Sequence, residues 1–161
     1  MSAIFLKRFL QRPFQVASRY EGREFVWRKT DLEWETDFYN LFFTAPRQTV
    51  TDEARSWLAA SGLFEHVLDF SSHVDATHVL EGHIVHLYGD ARGDDAKAVI
   101  EVQFFLVDDR PTPSAVAFGK SYAEEVAIPK DSPEELVKGW NEGLGRILGK
   151  LEEDLRGIVG R

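Results

Sequence analysis

Apolar positions along this chain recur with two distinct periods. Over residues 97–107, Ala98, Ile100, Val102, Phe104 and Leu106 alternate with a mixed set that includes Lys97, Glu101 and Gln103. A period of two sends alternate side chains to opposite faces, so this stretch predicts a strand packed on a core from one side. Residues 4–10, 25–27, 64–70, 77–88 and 115–128 read as further strands. Over 32–37, Leu32, Trp34 and Thr36 alternate with charged neighbours, a half-buried strand that pairs with 25–27 as a hairpin. Within 115–128 one face is almost entirely small (Ala115, Ala117, Gly119, Ser121, Ala123, Ala127), which allows a helix or another backbone to approach closely. Residues 37–43 are dense in aromatics and predict a connection rather than a regular element.

Helical spacing marks two segments. Val50, Ala54, Trp57 and Leu58 follow Pro46, a residue suited to the first helical turn, and Ser61-Gly62 fits a left-handed C-terminal cap. A helix over about 46–61 is expected. Ser132-Pro133-Glu134-Glu135 is a capping box with proline at the first helical position. Val137, Trp140, Leu144, Ile147, Leu148, Leu151, Leu155 and Ile158 then form one stripe within an arc of about 100°. Gly139 and Gly143 border that stripe, where they would permit close contact with a sheet. Gly145 and Gly149 project from the other side, although each costs about 1 kcal/mol relative to alanine. They are either neutral in a well-packed helix or a place where another protomer or a partner meets it. The fold class is therefore α/β of the two-layer α+β kind. It has a mixed, mainly antiparallel sheet with two principal helices on one face, in a single domain over 1–161.

Charge narrows the partners. The 161 residues carry 27 Asp and Glu against 19 Lys and Arg, a formal net charge of -8, which opposes binding to nucleic-acid backbones. Lys7, Arg8, Arg12, Arg19, Arg23 and Arg28 form the one basic cluster, read as a solvated strand and loop surface, with anionic headgroup contact as the alternative. The absence of cysteine excludes disulfides, zinc–thiolate sites and thiol catalysis. No apolar run approaches the roughly 18 residues of a membrane-spanning helix.

Candidate chemistry is sparse. His66, His73, His78, His83 and His86 cluster in sequence, but strand alternation puts His83 and His86 on opposite faces. His78 and His86 share a face but lie too far apart for one ion. Gly89-Asp90-Ala91-Arg92-Gly93 lacks the Lys-Ser/Thr and following helix of a phosphate loop. Glu124-Glu125 and Asp94-Asp95 read as solvated charges. No catalytic residue, cofactor or metal ligand is assigned, and a non-enzyme is expected.

Certain segments carry a family resemblance. These are Phe5-Leu6-Lys7-Arg8-Phe9, Phe25-Val26-Trp27-Arg28, Asp37-Phe38-Tyr39-Asn40, Ala45-Pro46 and Trp57-Leu58-Ala59-Ala60-Ser61-Gly62-Leu63-Phe64. Next come the strand from Ala76 to Ile84, the strand from Ile100 to Asp108 and the capped last helix. In that order they resemble the ABC-type transport auxiliary lipoproteins, a group that includes paraquat-inducible-protein-C-like proteins. The resemblance implies a periplasmic accessory of a lipid transporter, tethered to the outer membrane by a lipid anchor. Its implied partners are an MCE-domain or permease component, with a homo-oligomer as a further possibility. The family has no accepted catalytic residues. The lipid-bearing cysteine and leader of the family are not in this sequence, and a chain cut to its soluble part is the expectation. Tyr39, Phe42 and Phe43 are the candidate contact residues, the alternative being that they fill the core by covering the sheet edge or the start of the first helix, with Gly145 and Gly149 as a second contact face. Two alternatives stand beside this reading. One is a lipid carrier with an apolar pocket between helix and sheet, in which bulky Trp57, Trp140 and Phe104 would compete for the space. The other is a small cytosolic enzyme using the histidines.

Overall fold

The structure, a computed structural model, describes residues 8–159. Four short strands open it: β1 (Phe9–Gln11), β2 (Gln15–Val16), β3 (Glu24–Arg28) and β4 (Trp34–Leu41). Helix α1 (Pro46–Ala60) follows, then β5 (Val67–Leu68) and three long strands, β6 (His78–Asp90), β7 (Lys97–Asp108) and β8 (Ala115–Ala127). Helix α2 (Pro133–Val159) closes the chain. The part of the expected first strand before Arg8 lies outside the described residues.

Strand β6 organises the sheet. One of its edges pairs antiparallel with β7 along its whole length, and β7 pairs in turn with β8. The other edge is shared by β1, β2 and β3, all parallel to β6 and set one after another along it. Pro13 cannot donate to a ladder, so the opening segment touches β6 in short pieces rather than as one strand. β4 pairs antiparallel outside β3, and β5 lies parallel outside β1. The result is the mixed, mainly antiparallel sheet expected from the periods.

Both helices cover the face that carries Leu80, Ile84, Leu87, Ile100, Val102, Phe104 and Leu106, all buried. Two glycines of β6 make room there. A Cβ on Gly82 would stand 2.6 Å from the Phe14 ring, and one on Gly89 would stand 2.4 Å from the Trp27 ring. Helix α2 settles onto β7 and β8 in the same way. Cβ atoms at Gly139 and Gly143 would meet Ala98 Cβ at 2.5 Å and Ile100 Cγ2 at 2.8 Å. Ser132 caps this helix, its Oγ accepting from Glu135 N at 3.3 Å. The stripe residues Trp140, Leu144, Ile147, Leu148, Leu151 and Leu155 are buried, each contributing about 1.5–3 kcal/mol of burial. Trp140 also donates its Nε1 hydrogen to Val99 O at 3.0 Å and Tyr88 O at 3.3 Å, which ties the helix to the two central strands.

Helix α1 begins on Pro46 and ends before Gly62, whose φ of +74° is the left-handed cap the sequence implied. Thr51 docks it. Its carbonyl accepts from Gln11 Nε2 at 2.6 Å and its hydroxyl accepts from Phe14 N at 3.1 Å.

Three expectations are corrected. Residues 37–43 are not simply a connection, because β4 runs on to Leu41. Asp37 pairs with Phe25 and Leu41 with Glu24, so residues 38–40 are pushed out of the ladder as a bulge. The strand expected over 64–70 shrinks to Val67–Leu68. On β8, Leu106 pairs with Phe118 but Val107 with Val116, so Ala117 is an extra residue and the small face is broken there. Gly119, Ser121, Ala123 and Ala127 remain together, on the sheet face away from the helices.

Candidate interaction surface

The histidines come first, because strand alternation alone misplaces them. A bulge between Ile84 and His86 adds a residue to β6, so His83 pairs with Gln103 and His86 with Glu101. These partners are two apart on β7, and His83 and His86 therefore share the open face of the sheet rather than opposing faces. The same bulge separates His86 from His78, which pairs with Asp108 on the other face. His78 is buried, with Nδ1 3.0 Å from Thr77 Oγ1 and Nε2 4.0 Å from Asp108. Burial holds its pKa below the ordinary value, against the pull of the Asp108 carboxylate. Asp108 is itself held low, chiefly by hydrogen bonds from Arg110. Among the described residues no group of three or more His, Asp or Glu is placed to hold a metal.

Four members of the basic cluster, Arg12, Arg19, Arg23 and Arg28, reach partners within the molecule, and Arg8 is exposed. Arg12 pairs with Glu81 at 3.8 Å and Arg28 with Asp31 at 4.0 Å, while Arg19 and Arg28 lie 4.1 and 5.2 Å from the Trp34 ring centroid. Arg23 reaches Phe43 O at 3.4 Å. Lys7 lies outside the described residues.

The three candidate aromatics divide into two kinds. Phe42 is half-buried and stacks on Phe25 at 4.2 Å and Trp140 at 5.6 Å, so it belongs to the wall of the core. Tyr39 and Phe43 are 99% and 97% exposed, with Phe38 beside them at 73%. Consecutive residues of an extended segment project to opposite sides, which explains Phe42 in and Phe43 out.

The bulge that displays Phe38 and Tyr39 is braced. Asp37 Oδ1 accepts from Tyr39 N at 2.9 Å and Asn40 N at 3.1 Å, and its Oδ2 accepts from Asn40 Nδ2 at 2.8 Å. Those bonds, the side chain of Asn40 foremost, hold the Asp37 carboxyl below its usual value. Phe38 and Tyr39 are thus presented on a fixed backbone, which lowers the entropy lost on contact.

Beside Phe42 a cavity of about 100 Å³ opens between the helices and the sheet. Pro46, Thr49 and Val50 of α1, Leu87 and Ile100 of the sheet, and Val137, Trp140, Asn141 and Leu144 of α2 complete its lining. The lining is almost wholly apolar. Trp57 does not fill it but lies 38% exposed on α1, facing Gly149 across a gap that a Cβ would close to 4.0 Å. Gly145 has nothing within 4 Å of its Cβ position. Phe38, Val137 and the Asp37 brace were missed in the sequence as site residues. The Asp-x-x-Asn spacing of Asp37 and Asn40 was the available signal for the brace.

No protein-family model matches the chain, and no curated protein matches its sequence. Solved structures do match. The Xanthomonas campestris protein XCC0632, of family model DUF330, superposes with a TM-score of 0.82 at 12% identity, over 94% of this chain and 84% of that one. What they share is the fold. Protein CT253 from Chlamydia trachomatis matches with a TM-score of 0.63 at 11% identity, over 95% of this chain and 98% of its own. The PelC dodecamer of Paraburkholderia phytofirmans matches with a TM-score of 0.53 at 16% identity, over 94% and 91% of the two chains. No helix among the described residues is long and apolar enough to cross a membrane.

Proposed function

We propose that the protein is a non-catalytic accessory of an ABC-type envelope lipid-transport system, facing the periplasm and held at the outer membrane by a lipid anchor. It works by protein contact, with an MCE-domain or permease component and with further copies of itself. The observation that carries this reading is the braced display of Tyr39, with Phe43 likewise almost fully exposed, near an open apolar cavity. Exposed aromatic clusters of this kind mark contact surfaces. The order of sequence segments described above supplies the transport context. The dodecameric state of PelC supports self-assembly as a use of this fold.

Cavity size weighs against the carrier alternative. A cavity of about 150 Å³ holds a benzene molecule. The space here is about 100 Å³, too small for the acyl chains of a phospholipid. A photo-crosslinking residue at Tyr39 or at Gly145, in cells of the source organism, tests the proposal. Adducts with an MCE-domain protein or a permease subunit are expected at one of the two positions. Adducts with neither, together with a stoichiometric phospholipid on the purified chain, would replace the accessory reading with the carrier.

A further inference from the structure

We infer that the outer edge of β8 docks a second copy of this chain, whose own β8 runs antiparallel to it so that two sheets become one. This deepens the proposed function, on whose contact between copies it rests. It lies at the opposite edge of the sheet from residues 38–43.

The direction of the backbone groups comes first. Ile128 N donates to Ala96 O at 3.0 Å, and from there the ladder with β7 runs in register to the pair of Leu106 with Phe118. In an antiparallel pair, residues that exchange bonds alternate with residues that do not. Val126, Glu124, Tyr122, Lys120 and Phe118 therefore spend their N–H and C=O groups on β7. Gly119, Ser121, Ala123 and Glu125 turn theirs outward, and among the described residues β8 pairs with no other strand. Such an edge invites another strand unless something blunts it. The far edge of the sheet is blunted, because β4 is broken by its bulge and β5 has only two residues. Between Phe118 and Ala127, β8 has neither proline nor bulge. Its outward residues are exposed, and Gly119, Ser121 and Ala123 are too small to hold a strand away.

Charge selects the occupant and the register. With a two-fold axis at Tyr122, Ser121 faces Ala123 of the second copy and Gly119 faces its Glu125, each pair exchanging both bonds. Lys120 then stands opposite Glu124 of the second copy, and Glu124 opposite its Lys120. Directly opposed residues have Cβ atoms about 4.5–5.5 Å apart, close enough for an ion pair. Within one chain Lys120 already meets Asp154 at 2.9 Å, and Glu124 meets Arg146 at 3.6 Å. The contact joins these pairs into one network of alternating sign. An axis at Lys120 or at Glu124 sets like charge against like. An axis at Ser121 or at Ala123 leaves Lys120 and Glu124 facing uncharged residues. A strand of an unrelated protein could use the bare edge, but it would not require Lys120 and Glu124 to stand evenly about its centre.

The test uses the full chain carrying Phe43→Ser, so that contact through residues 38–46 does not mask this one. Sedimentation equilibrium should still show self-association. Ala123→Pro removes an outward N–H and no bond to β7. That loss counts twice across a two-fold, so the dissociation constant should rise about tenfold while the thermal midpoint stays unchanged. Lys120→Glu should weaken association to a similar degree, and adding Glu124→Lys should restore it. Restoration cannot come from within one chain, where the double change leaves each new charge beside a like one, Asp154 or Arg146. The chain has no cysteine of its own, so oxidising a mixture of Ser121→Cys and Ala123→Cys chains should yield a mixed disulfide dimer, with little product from either alone. Ready self-crosslinking of Ser121→Cys would overturn the inference by moving the axis. So would a double reversal that fails to restore association, or a Phe43→Ser chain that stays monomeric up to about 0.1 mM. Photo-crosslinks from Tyr39 to a transporter component report on the other edge of the sheet, so the proposed function can stand if this inference fails.

Discussion

At the scale of single residues, Asp37 decides how the contact surface is held. One carboxylate accepts three hydrogen bonds from Tyr39 and Asn40, two of the three bulge residues. Its folded pKa is depressed, so the brace is complete above the unfolded value and is lost as pH falls through the folded one. The amide signals of Tyr39 and Asn40 should therefore titrate together below the ordinary 3.8, and Asp37→Ala should speed their hydrogen exchange at neutral pH. His78 works in the same direction for a different reason. Burial depresses its pKa from 6.5, so the folded state binds fewer protons than the unfolded state just below that pH. Stability tied to His78 is present above 6.5 and falls with pH until the folded pKa is reached. The urea midpoint should drop as pH falls below 6.5, and His78→Gln should flatten part of that drop.

At the scale of elements, the glycines of α2 separate two roles that look alike in sequence. Gly139 faces Ala98 at a distance no Cβ tolerates, whereas Gly145 faces open space. Gly145→Ala should stabilise the protein by up to about 1 kcal/mol through helix propensity. Gly139→Ala should destabilise it by about 1–3 kcal/mol through overpacking. Opposite shifts in the urea midpoint would confirm the division, and a stabilising Gly139→Ala would refute the tight seat of α2. Elements with a long period were legible. Helix α1, helix α2 and strands β7 and β8 all lie within a residue or two of where alternation and capping placed them. Bulges were not legible. One extra residue at Val85 moved His86 to the other face, one at Ala117 broke the small face, and residues 38–40 turned an expected connection into a displayed tip. Nothing in local composition signals an inserted residue, because its position is set by the partner strand. The division between Phe42 and Phe43 was hidden for the same reason: it depends on the neighbouring Phe25 and Trp140.

At the scale of the whole molecule, the contact surface and the overall charge oppose one another. The rings that project are uncharged, while each copy carries a formal charge of -8. Two copies approaching through residues 38–46 thus gain by apolar burial and lose by long-range repulsion. Salt acts on the second effect far more than on the first. The Debye length shortens from about 30 Å at 0.01 M to about 8 Å at 0.15 M, less than the width of a domain of this size. Self-association should therefore tighten as salt is raised across that range, then change little, with Phe43→Ser weakening it at every concentration. An interface built on the surface ion pairs, such as Arg146 with Glu142 or Lys150 with Glu124, would behave in the opposite way and loosen as salt is added. Sedimentation equilibrium at about 0.01 M and about 0.15 M salt separates the two, since only the apolar surface predicts a gain in the dimer fraction.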